Sequence, residues 1–314
     1  MPQIGYADLH CDSITVCCDK AESMQTNDGQ ASFERLKKAA CRAQCFAIFT
    51  EGKNAAEDFE KYLAFYYAQI NSSDDMAAVK DKKDFNSALS AGKIAAVLTV
   101  ENLGFIGGDI GRISALAAAG VKIASLVWNN PNRLAFPNLI FKDGLPDFAA
   151  RESRGLTPLG REAAEVLGEN RVLLDISHLS DGGAEEAFAL SKLPVVATHS
   201  NCAECHPVSR NLTDRHIRAV AESGGVVGLN LCRDFLGGDP KESFYRHFNH
   251  LLNVGGEDSL AFGSDFDGIP RYSPFDDCSC VQSIFGFLEG KGVSARVLEK
   301  FAFANFKRVL ECVL

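Results

Sequence analysis

Apolar residues along this chain gather in short unbroken runs, separated by longer segments in which they recur every three or four positions. Eight runs rich in Val, Ile, Leu and Ala read as strands: residues 5–10 (GYADLH), 43–50 (AQCFAIFT), 94–101 (IAAVLTVE), 121–128 (VKIASLVW), 171–178 (RVLLDISH), 194–200 (PVVATHS), 225–231 (GVVGLNL) and 260–267 (LAFGSDFD). Between them lie helical patterns. Phe59, Leu63, Tyr66 and Ile70 predict a helix over 56–71. Thr157 and Pro158 supply an N-cap and a first helical residue for TPLGREAAEVLG. A third helix opens at Thr213 and stops at a Gly pair, Gly224 and Gly225. The segment 294–314 places Val297, Leu298, Phe301, Phe306 and Val309 on one broad apolar side.

Strands that are apolar throughout suit a parallel sheet covered on both faces. Eight of them alternating with helices predict a (β/α)8 TIM barrel of the metal-dependent hydrolase type, as one domain over residues 1–314. An open doubly wound sheet shares the same local signals and is the alternative. No internal repeat, low-complexity tract or linker interrupts the pattern. The least regular stretch, 129–155, follows the fourth run and is the candidate active-site loop.

Composition narrows the class. Hydrophobic residues make up 46% and charged residues 23%, an ordinary balance for a water-soluble core. The net charge of −9 argues against nucleic acid or an anionic membrane as partner. No apolar run approaches the ~18 residues of a membrane span. The opening MPQIGYADLH has neither a basic n-region nor an apolar h-region, so no signal peptide is expected. Eleven cysteines, odd in number and irregular in spacing, read as reduced thiols of a cytoplasmic protein.

A barrel predicts that chemistry sits at the C-terminal ends of strands. His10, Glu101, His178, His199 and Asp265 each end one of the apolar runs. Asp12 follows His10 by two positions, which aims both to one side and turns Cys11 away. Imidazoles with carboxylates suit Zn²⁺. Three of each exceed what one ion needs and fit a pair of ions that share a carboxylate and a hydroxide. Any one of these residues alone has an ordinary structural reading; five at five strand ends are hard to assign to coincidence.

Other candidates are weaker. Cys202 and Cys205 (CAEC) have zinc or redox spacing, but no second pair completes a zinc site and inert thiols are the simpler reading. His247 and His250 read as a solvated helix face, and His206 and His216 as ordinary loop and helix residues. FIGGDIG, 105–111, lacks the lysine of a phosphate loop, and no GxSxG elbow occurs. Arg210, one short loop after His199, can grip a carboxylate, although spacing alone favours a surface arginine.

The segments DLHCDS, AAVLTVEN, GLTPLGREAAEVLGENRVLLDISHLSD, PVVATHSNCAECHPVSRNLTDRHIRAVAESGGVVGLN and FGSDFDGI, spread within residues 6–269, resemble the membrane (renal-type) dipeptidases, zinc peptidases among the amidohydrolase-like barrels. The resemblance implies a dizinc dipeptidase. His10 and Asp12 would bind one zinc, His178 and His199 the other, and Glu101 would bridge them with a hydroxide. Asp265 would move the proton, and Arg210 would hold the C-terminal carboxylate of a dipeptide. One position departs: many relatives carry a histidine at the end of strand four, where this chain has Trp128. Trp128 offers only an indole N–H. Trp128 and Asn129 thus become candidates for substrate contact, with Asn129, Asn130 or the zinc taking over the oxyanion role. Members of the family are often homodimers. The same centre could act on N-acyl amino acids, lactones or cyclic amides, and a barrel that only stores metal is the reading outside enzymes.

Overall fold

The computed structural model describes residues 3–314. Its strands are β1 (Tyr6–Asp8), β2 (Cys41–Phe49), β3 (Met76–Ala78), β4 (Ile94–Glu101), β5 (Val121–Ser125), β6 (Ile140–Lys142), β7 (Leu145–Asp147), β8 (Leu173–Asp175), β9 (Val227–Leu229) and β10 (Leu260–Phe262). Parallel pairing runs β1-β2-β4-β5-β8, with β3 alongside the start of β4, and β9 pairs with β10. The segment 194–200 bridges the two sheets through Val196 to Asp175 and Ala197 to Val227. The ring closes where Leu9 N–H donates to Phe262 O (3.0 Å) and Asp12 N–H to Phe266 O (2.9 Å). This is the (β/α)8 barrel.

The second half of the ring departs from the expected strands. Runs of seven or eight residues shorten to three in β8, β9 and β10, and the sixth is reduced to two bridging residues. Buried side chains take over the ladder. Asp175 accepts from Ser177 N (2.9 Å), Thr198 N (3.0 Å) and Thr198 Oγ1 (2.6 Å). Asp8 accepts from Ser264 N (2.9 Å) and Ser264 Oγ (2.6 Å), which ties β1 to the end of β10. Gly228 and Gly263 both lie against the Thr198 carbonyl, where any Cβ would overlap it.

The helix Ala55–Asn71 buries Phe59, Tyr62, Tyr66 and Ile70, while Leu63 sits at the edge of that face. Thr157 caps Pro158–Glu169 by accepting from Gly160 N (3.0 Å), and Thr213 caps Asp214–Glu222. The closing segment is not one helix. A π-helical stretch, Lys300–Ala304, separates Ala295–Glu299 from Asn305–Leu310. Its apolar residues serve two cores: Phe301 packs outside the sheet against Phe248 and Phe262, whereas Phe306 and Val309 join Leu9, Val97 and Ile123 in the second core. The wider π turn changes the direction of the side chains between these two duties. The loop 129–155 contains the hairpin β6–β7, which the sequence pattern did not reveal because its residues face the site rather than a core.

Candidate metal centre

The expected residues meet at the C-terminal rim. Glu101 ends β4; His10 lies two residues past β1, and Asp12 precedes the helix Ser13–Lys20. His178 follows β8, His199 follows the bridging pair, and Asp265 follows β10 with φ of 66°. All are buried. Three sets of donor atoms lie within 4.8 Å of one another: His10–Asp12–Glu101, Glu101–His178–His199 and His10–His199–Asp265. Glu101 Oε2 is 4.0 Å from His10 Nε2, and its Oε1 is 2.9 Å from His178 Nε2 and 3.4 Å from His199 Nε2. Asp12 Oδ2 is 3.4 Å from His10 Nε2.

The far ring nitrogens of His178 and His199 each have a dedicated partner. His178 Nδ1 meets Asn129 Oδ1 at 3.0 Å. An amide oxygen only accepts, so Nδ1 carries the proton and Nε2 presents a lone pair. His199 Nδ1 meets Thr198 Oγ1 at 2.8 Å, and that hydroxyl donates to Asp175 Oδ2 at 2.6 Å. The hydroxyl proton is thereby committed, so His199 Nδ1–H donates and Nε2 again faces the cluster. Asn230 donates to Asp265 Oδ2 (2.8 Å), and Gly268 passes so close to Asp12 and Asp265 that a Cβ there would collide with both carboxylates.

Burial disfavours charge on His10, yet Asp12, Glu101 and Asp265 outweigh it and raise its pKa to about 10. Burial holds His178 and His199 well below the ordinary imidazole value, so both stay neutral, the form that ligates. Burial, with Asp12 and Glu101 nearby, lifts Asp265 to about 7. Burial also raises Asp12. In Glu101 the same burial is overcome by His199 and His10, which lower it. His10 Nε2 and Asp12 Oδ1 are buried without a hydrogen-bond partner among the described residues. Unpaired nitrogen and oxygen donors beside three crowded carboxylates fit a divalent cation, which would satisfy both at once.

The cluster forms the floor of a cavity of about 490 Å³. Arg210, expected at most at a surface by spacing, is buried; its guanidinium donates to Ser177 O, lies 3.1 Å from His178 Nε2 and stacks over Phe235 at 5.3 Å. Trp128 lines the cavity with its ring 4.7 Å from Phe49. Asn129 lines it too, but its amide oxygen is held by His178.

The histidines elsewhere are structural. His247 is not on a solvated face: it is fully buried, with Nδ1 accepting from Cys202 N (3.0 Å) and Nε2 beside Leu236 O (3.1 Å). His250 pairs with Asp214 at 2.6 Å. Burial of the helical His216 was not expected either. Cys202 and Cys205 are free thiols and join none of the three metal-competent sets.

Sequence reasoning passed over Asn230, Thr198, Asp175 and Gly268. Asn230 does end an apolar run, so the strand-end rule, widened from ionisable to amide side chains, finds it. Thr198 and Asp175 are visible only as polar residues inside apolar runs, and Gly268 carries no local signal.

A closed parallel barrel with imidazoles and carboxylates gathered at its C-terminal rim defines a metal-dependent hydrolase. The model of the membrane dipeptidase family, peptidase family M19, matches residues 1–313, and the chain belongs to that family. It is accordingly a metallo-dipeptidase. An uncharacterized protein of the pqqA 5′ region of Klebsiella pneumoniae is 34% identical over 233 residues, covering 70% of this chain and 82% of that protein. Dipeptidase tcpJ of Claviceps purpurea is 23% identical over 312 residues, 93% of this chain and 71% of its own. Among solved structures, a metallo peptidase from Rhodobacter sphaeroides liganded with a phosphinate mimic of the dipeptide L-Ala-D-Ala superposes with a TM-score of 0.90 at 23% identity, covering 100% of both chains. Dipeptidase AC, a metallo peptidase of family M19, gives 0.90 at 24% identity over 99% of both. No helix among the described residues is long and apolar enough to cross a membrane.

Proposed function

We propose that the chain hydrolyses dipeptides bearing a free C-terminal carboxylate, with two Zn²⁺ ions held at the rim. The observation that carries this reading is Glu101: one carboxylate oxygen faces His10 and Asp12, the other faces His178 and His199. His10 and Asp12 would hold one ion, His178 and His199 the second, and Glu101 both. When bound, such a pair polarises a carbonyl and makes water a nucleophile at neutral pH. Asp265, at the rim beside these residues and held by Asn230, takes up a proton from the attacking water and returns it to the leaving amine. Arg210 offers its fork to the substrate's carboxylate from the cavity wall. Trp128 presents an aromatic face where many relatives carry a histidine, so it positions substrate rather than moving protons. The R. sphaeroides structure with its dipeptide mimic supports a dipeptide as substrate.

The test is metal analysis of the purified protein together with a dipeptide assay before and after chelation. Two equivalents of zinc are expected, with activity lost on chelation and restored by zinc. N-acyl amino acids run in parallel should be poor substrates. One equivalent of metal at full activity, or faster turnover of the N-acyl compounds, would sink the proposal.

A further inference from the structure

The walls of the cavity differ in kind from its floor. The ionisable residues cluster below, while Phe49, Trp128, Leu139, Phe148 and Phe235 rise above them. Arg210 supplies the cation among the lining residues. Its guanidinium lies over Phe235, whose ring is 6.2 Å from that of Phe148. Ser209 N–H donates to Phe148 O at 2.6 Å, which ties the hairpin's trailing end to the loop that carries Arg210. The hairpin's own Phe141 lines the cavity yet is 48% exposed, and with Leu145 it is one of two large apolar side chains exposed among the described residues.

We infer that the hairpin and Phe235 select dipeptides whose C-terminal residue has a large apolar side chain. The inference rests on the proposed dipeptidase reading and on Arg210 holding the C-terminal carboxylate. That carboxylate and the C-terminal side chain share one α-carbon, so a carboxylate at Arg210 places the side chain beside its neighbours, Phe235 and Phe148. An apolar group there removes its own surface and that of both rings from water. A carboxylate side chain finds no second cation in the cavity lining, and an ammonium meets Arg210 itself. The carboxylate would be desolvated against aromatic faces without a partner, and the ammonium would be held beside the like charge of the guanidinium.

The experiment is a kcat/KM series on the zinc-loaded full chain with Ala-Phe, Ala-Leu, Ala-Ala, Ala-Asp and Ala-Lys. Ala-Phe and Ala-Leu should exceed Ala-Ala by about tenfold or more, with Ala-Asp and Ala-Lys below it. Phe148→Ala, at a half-buried surface position, should bring the Phe-to-Ala preference to within about threefold, chiefly through KM. Phe235→Ala gives a second route to the same loss. Comparable values for Ala-Phe and Ala-Asp, or a preference untouched by both variants, overturn the inference while leaving the dipeptidase reading intact. Failure to hydrolyse any of the five overturns both.

Discussion

The two halves of the barrel are built differently. The first half is centred on a long ladder: β2 and β4 pair over seven positions and the Ile94–Glu101 run matches its strand end to end, although β1 and β3 are three residues long and the β1–β2 and β4–β5 pairings each shift register once. From β8 to β10 the strands are three residues long, and buried Asp175 and Asp8 replace ladder bonds with side-chain bonds. The first half supplies Glu101, set by the pleat of a long strand, together with His10 and Asp12, which lie just past the end of β1. The irregular half supplies His178, His199 and Asp265, which sit on chain that has already left the ladder. An early strand end frees backbone to turn a side chain inward, and a buried carboxylate restores the hydrogen bonds thus forgone.

Five variants would break or sharpen that contrast. The largest effect is expected at Asp265 in the irregular half. Asp265→Asn keeps the size and the bond to Asn230 but removes the titrating group, so turnover should fall ~10²–10⁴-fold with metal content unchanged. Near-parental turnover would remove its assigned role.

Orientation comes next. Thr198→Val cuts the Asp175–Thr198–His199 chain of the irregular half, and Asn129→Leu cuts the single bond to His178 that comes from the loop after β5. Each should weaken metal binding by ~10–100-fold, measured by competition with a chelator. Affinity unchanged in Thr198→Val would mean the irregular half needs no such chain.

Stability against pH tests the buried carboxylates. Burial raises the pKa of Asp8 from 3.8 to about 6 despite its bonds to Ser264. The folded chain therefore holds this proton more tightly than the unfolded chain. That contribution is full below pH 4 and is lost as pH rises through 6. Asp8→Asn stays neutral and can still accept from Ser264 N, so relative to the parent it should gain up to about 3 kcal/mol between pH 4 and 7 in urea unfolding. A difference that does not vary with pH would show that Asp8 is charged throughout.

The smallest effect is expected outside the ring. Leu145 on the hairpin is 71% exposed, and Leu145→Ser should change stability by less than about 0.5 kcal/mol.

Legibility followed the same division. The Ala55–Asn71 helix, the Thr157 and Thr213 caps and the β4 boundary could be read locally, because periodicity and caps act over a few residues. The expected strands after residue 171 were too long, because apolar runs continue through positions where Asp175 and Gly228 divert the ladder. The π turn went unseen because it answers to packing distant in sequence, and the hairpin because its three-residue strands are too short to show a pattern beside the Asp143–Gly144 turn that joins them. At the site, strand-end reasoning reached the ionisable residues, and the resemblance raised Arg210 above a surface role. Nothing local distinguished Asn129 as the partner of His178 or Gly268 as the close neighbour of two carboxylates.

By itself the amino-acid sequence determined the alternation of strands and helices, and with it the rim on which imidazoles and carboxylates fall. These follow from hydrophobic period and from the handedness of parallel connections, which are properties of short stretches of chain. Only the tertiary structure decided which oxygen of Glu101 faces which histidine, which ring nitrogen is left free, and how aromatic walls stand over Arg210. Those depend on side chains tens of residues apart in sequence meeting in a buried space, where each polar atom must find a partner or a cation.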